Sequence, residues 1–113
     1  MYYSQQDAQE FTIPGGTHGY LYPTHPKGEQ SIAYIEMDGV YPEAGYSRND
    51  RCTETIYVLE GEMEIEYQGQ WHTLKPHDLL MIEPENKYRS RGCGKAMVVI
   101  TPGWDKSQNH IIQ

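Results

Sequence analysis

Apolar and polar residues alternate along much of this chain from Ser31 onward. In 31–39, Ala33, Ile35 and Met37 interleave with Tyr34, Glu36 and Asp38, the two-residue period of a strand with one face on a core. Residues 62–68 repeat the pattern more cleanly. Met63, Ile65 and Tyr67 oppose Glu62, Glu64 and Glu66, which predicts a half-buried antiparallel strand with an acidic outer face. The stretch TETIYVLE, 53–60, is rich in β-branched and aromatic side chains that suit a pleated surface. Further short strands are expected at 71–74, 79–82, 88–91 and 96–101. Turns are expected between them: at Gly61 with its flanking glutamates, at 69–70, and at KPHD, EPENK and GCGK. The first thirty residues predict loops with short extended pieces. The residues after Pro102 predict a polar tail that packs through Trp104, Ile111 and Ile112. Helical periodicity is nearly absent. Eight or nine short strands joined by tight turns predict an all-β jelly roll or small barrel.

Composition narrows the class. A chain of 113 residues is expected to be one domain, 1–113, and no stretch reaches the ~20 apolar residues that span a bilayer. The start, MYYSQQDAQEF, has neither a basic nor an apolar signal region, so a cytoplasmic location is the expectation. A net charge of −7 argues against nucleic acid, whose phosphates need a dense basic surface. Cys52 and Cys93 lack any C-x-x-C spacing and are expected to be reduced thiols.

Two segments carry a family resemblance. ETIYVLEGE, beginning at Glu54, resembles the first motif of the cupin superfamily. LKPHDLLMIEPENKY, ending at Tyr88, resembles the second without a gap. The resemblance spans about 31–102. It implies a single cupin-type jelly-roll barrel (a double-stranded β-helix) with an N-terminal arm, 1–30, and a tail, 103–113. It also implies a homodimer with the Tyr-rich N-terminal segment packed across the interface.

The departures from the family pattern bear on function. His77 stands where the motif has Gly, Asp78 matches its Asp, and Tyr88 falls on the metal-binding His. The His-x-His pair that precedes the Glu in metal cupins falls, at the best spacing, on Arg48 and Asp50. Neighbouring registers give Ser47 and Asn49, or Asn49 and Arg51. None offers histidine, and only Glu54 survives of the usual ligands. A guanidinium cannot be deprotonated and repels a divalent ion, so no metal and no cofactor are expected. An atypical site drawing on His18, His25 or His77 is the alternative.

If 48–54 is extended, Arg48, Asp50, Cys52 and Glu54 share one face, and the cupin arrangement turns that face into the barrel beside Tyr88. A satisfied polar network that binds nothing explains such a cluster as well as a pocket does. As a pocket, it is expected to bind a small polar metabolite, sugar-like or carboxylated. Arg48 would grip a carboxylate, Asp50 and Glu54 would accept from hydroxyls, and Cys52 would lie close by. The alternative is isomerase, epimerase or lyase chemistry with Glu54 or Asp50 as base and Tyr88 as acid.

Overall fold

The computed structural model describes all residues, 1–113. Nine strands form it: β1 (Gln9–Ile13), β2 (Thr17–Leu21), β3 (Ser31–Tyr41), β4 (Tyr46–Asn49), β5 (Thr53–Tyr67), β6 (Gln70–Leu74), β7 (Leu79–Ile82), β8 (Tyr88–Thr101) and β9 (Asn109–Ile112). The only helices are two three-residue 3₁₀ turns, and none is long and apolar enough to cross a membrane.

All strand pairings are antiparallel. The strands run β1–β2–β3–β8–β4–β9, while β5 pairs with β6, β7 and β8. The sheet curls into a jelly-roll barrel because β8 is long enough to pair with β3, β4 and β5 at once. The alternation read from the sequence sets the inside. Met63, Ile65 and Tyr67 of β5 are buried, as are Ala33 and Met37 of β3, and they join Val58, Val98 and Ile100 in one core.

Two expected turns are not turns. Gly61 lies inside β5 at φ 76°, next to a register shift between Val58 and Glu60, and Gly92 lies inside β8 at φ 137°. Gly61 faces Gly94 across the ladder, and a side chain on Gly61 would run into the Cys93 carbonyl. These glycines permit a bulge and a close backbone approach, so the strands bend there without ending.

The sheet also extends beyond 31–102. The arm folds as the hairpin β1–β2 and adds to β3, and the tail adds β9 to β4. The hairpin lines the cavity, as do Trp104 and Lys106 of the tail.

Candidate binding and acid–base site

A cavity of about 530 Å³ opens into the barrel. Its walls are mostly apolar: Phe11 and Leu21 from the N-terminal hairpin, Ile35 and Met37 from β3, Val98 from β8, and Trp104 from the tail. Its polar lining includes Tyr41, Glu54, Tyr88, Ser90 and Thr17, with Lys106 as its one cation.

Glu54 is the centre of the polar end. It sits near the start of β5, and the strand's alternation turns it inward with Ile56 and Val58. Tyr88 donates its hydroxyl proton to Glu54 Oε2 at 2.9 Å, and Asn49 Nδ2 donates to Oε1 at 3.1 Å. No cation pairs with it. Burial raises the Glu54 carboxyl above its usual range, and the bonds from Tyr88 and Asn49 offset only part of that rise. Burial, and then the facing Glu54 charge, push the Tyr88 phenol well above the ordinary tyrosine range. The Tyr41 ring lies 6.1 Å from that of Tyr88, and its hydroxyl meets Ser47 Oγ at 3.2 Å.

Other expected site residues lie elsewhere. Arg48 and Asp50 do not share a face with Glu54. They are half exposed on the outer side, where Asp50 meets His110 Nε2 at 2.9 Å and Arg48 at 3.9 Å. Ser47 and Asn49 point inward instead and are almost fully buried. The physical reason is that the strand is not continuous. The chain bends at Asp50–Cys52, so parity does not carry from 48 to 54, and two buried residues five apart, Asn49 and Glu54, meet. Cys52 is buried in that bend but does not line the cavity. Its backbone N–H bonds to Gln108 Oε1 at 2.9 Å, and burial, with Glu54 second, pushes its thiol up to about 11, which leaves it protonated and unreactive.

Sequence reasoning missed Tyr41 and Asn109. Tyr41 closes β3 two residues beyond the strand expected at 31–39. Asn109 belongs to the tail, which carried no strand signal. Asn49 and Ser47 were visible only as an alternative register.

The donor set does not fit a divalent metal of the family type. The inward positions carry a serine, an amide, one carboxylate already accepting two hydrogen bonds, and a phenol. No three of His, Cys, Asp and Glu come together anywhere in the molecule. His18 lies 3.5 Å from Glu36 on the surface, His25 accepts from Lys27 N–H, and His77 bonds the Tyr57 hydroxyl at 2.7 Å.

An antiparallel jelly roll with a small-molecule cavity and a polar cluster on its inner strands defines a cupin-type barrel. The family model for the cupin domain matches residues 34–102, and the chain belongs to that family. Among solved structures, the nucleoside dehydratase Pac13 superposes with a TM-score of 0.89 at 13% identity, covering 100% of this chain and 91% of that one. Two Tyr-to-Phe variants and a His-to-Gln variant of the Streptomyces protein, each with uridine, superpose with TM-scores of 0.89, 0.89 and 0.88. KdgF from Halomonas sp. has a TM-score of 0.76 at 14% identity, covering 95% of this chain and 97% of that one. An RmlC-like cupin from Shewanella frigidimarina has 0.77 at 18%, covering 94% of each. Identities this low speak for the fold alone. A comparison with curated proteins gave no match.

Proposed function

We propose that this cupin binds a small, uncharged, partly apolar metabolite without a metal, and presents the metabolite's polar group to Glu54. The observation that carries this is the buried Glu54 carboxyl, unpaired with any cation, on the wall of an otherwise apolar cavity. Buried charges are normally paired, so a carboxyl held this way is costly unless something uses it. The expected carboxylated ligand loses support, because Arg48 lies outside and Glu54 repels an anion. Lys106 is the one group on the cavity wall that would receive one.

Proton transfer is the second reading, favoured by the upward shift of Glu54. A carboxyl raised above its usual range is a better proton acceptor for an acidic O–H or C–H and can return the proton, which is what an isomerase or lyase needs. Tyr88 shares its proton with Glu54, so the two act as one unit. Asp50 has no part in this scheme because it faces the outside. The shared barrel with Pac13, a nucleoside dehydratase, lends this reading a precedent.

Thermal-shift measurements test the proposal with neutral hydroxylated and carbonyl compounds, uridine among them, beside anionic sugar acids. Neutral compounds should stabilise the wild type and not Glu54→Gln. Stabilisation by anions alone, or an equal response in Glu54→Gln, would overturn it. A cytoplasmic setting and a homodimer complete the reading. Both cysteines are free thiols, and the exposed Leu79 and Met81 offer apolar area to a second copy. A monomeric mass by light scattering would remove the dimer.

A further inference from the structure

Asn109, in β9, is a polar group at this end of the barrel with no part in the proposed function. Its Nδ2 donates to Ser47 Oγ at 2.9 Å and to Asn49 Oδ1 at 3.0 Å. An amide NH₂ carries only two hydrogens, so both are committed. Counting hydrogens then fixes two branches. On the first, Asn49 accepts through Oδ1, so its Nδ2 must face Glu54, and it donates to Oε1 there. With Tyr88 on the other oxygen, Glu54 is left as an acceptor.

On the second branch, Ser47 is fully buried and already accepts from Asn109. Its own proton needs an acceptor, and the hydroxyl in hydrogen-bond geometry is that of Tyr41 at 3.2 Å. Donation to Tyr41 keeps the buried Ser47 proton paired. Ser47 donates there, and the Tyr41 proton, on a residue that lines the cavity, has the Tyr88 hydroxyl beside it. Thr17 lines the same cavity, and its buried Oγ1 has no hydrogen-bond partner. Burial also keeps the Tyr41 phenol above its usual range, so it remains a donor at neutral pH.

We propose that Asn109 is a positioning residue that sets the direction of the hydrogen bonds at the buried end of the cavity. It leaves Tyr41 as a donor on the cavity wall and Glu54 as an acceptor, so the site selects ligands that carry an acceptor oxygen beside a donor, as hydroxy-carbonyl compounds and cyclic amides do. This rests on the Glu54 site proposed above and adds what the ligand must carry.

Two arms test it on the full-length protein. The first follows the Glu54 carboxyl by ¹³C NMR in the wild type, Asn109→Leu, Asn49→Leu and the double variant, with amide spectra confirming the fold. Asn109→Leu should raise the Glu54 midpoint, and the double variant should move it no further than Asn49→Leu alone. An unchanged midpoint in folded Asn109→Leu, or additive shifts, would overturn the positioning role whatever the cavity binds. Should Asn109→Leu fail to fold, Asn109→Ser serves in its place under the same criterion. The second arm titrates 2-pyrrolidone, a neutral donor–acceptor probe. Tyr41→Phe should weaken its binding about tenfold. Equal binding by Tyr41→Phe, or none by the wild type, would overturn the ligand class. If uridine or another neutral compound still stabilises the protein in a Glu54-dependent way, the reading of Glu54 survives that failure.

Discussion

Strands β5 and β8 have two faces, and the two treat charge in opposite ways. Outside, Glu66 meets Arg89 at 2.9 Å and Glu64 meets Arg91 at 3.2 Å, each pair directly across the ladder. Arg91 lies 3.9 Å from the centre of the Trp71 ring, and Arg89 stacks near Tyr46. A hydrogen bond from Tyr46, and then Arg89, hold Glu66 below the usual carboxyl range. Inside, the same two strands supply Glu54 and Tyr88, and Glu54 has no cation and a raised carboxyl. Exposed pairs of the first kind contribute little. The buried group opposes folding whenever it is ionised. The outer charges therefore serve solubility and register, while the inner one is kept at a cost to stability, the mark of a group held for binding or chemistry.

The largest expected effect comes from the inner face itself. Ile65 is fully buried between Glu64 and Glu66, and Ile65→Ala should cost about 2–5 kcal/mol in urea unfolding. A cost comparable to that of changing its outward neighbours would erase the distinction between the faces.

Glu54→Gln should act in the other direction and raise stability at neutral pH by about 1–2 kcal/mol, while abolishing ligand-induced stabilisation. Lower stability in that variant would mean that the network favours the carboxylate after all.

The two glutamates should also show opposite pH dependence. The folded-state pKa of Glu54 is raised, so its contribution is full below its unfolded value, roughly pH 4.3, and is lost as pH rises through the folded value. Glu54→Gln and wild type should therefore converge in acid and diverge toward neutrality. Glu66 is depressed, so its contribution is present above that unfolded value and is lost as pH falls through the folded one. Unfolding curves from pH 2.5 to 8 on wild type, Glu54→Gln and Glu66→Gln would show whether the slopes differ in sign.

The smallest effect belongs to the outer cations. Arg91→Ala should change stability by no more than about 1 kcal/mol and shrink further in high salt. A larger loss would show that the stack on Trp71 carries more than an exposed pair does.

The parts of this molecule legible in the sequence were those set by period and motif. Alternation in 31–39 and 62–68 gave the inward face of β3 and β5, and the two motifs placed Glu54 and Tyr88, which the structure brings to 2.9 Å. What was not legible depended on interruptions of that period. Gly61 and Gly92 resemble turn residues, yet each continues a strand through a conformation open to glycine. The bend at Asp50–Cys52 reversed the expected parity, sending Arg48 and Asp50 out and Ser47 and Asn49 in. Asn109 joins the site only because β9 pairs with β4, a contact between residues about sixty apart that local pattern does not encode.

The most direct measurement is the titration of the Glu54 carboxyl in the wild-type protein by ¹³C NMR, with the resonance identified by its absence in Glu54→Gln. The account predicts a midpoint clearly above the usual glutamate range. A midpoint within or below that range would mean that Tyr88 and Asn49 fully compensate the burial. Glu54 would then be a satisfied structural carboxylate, and the cavity would lose its reactive group.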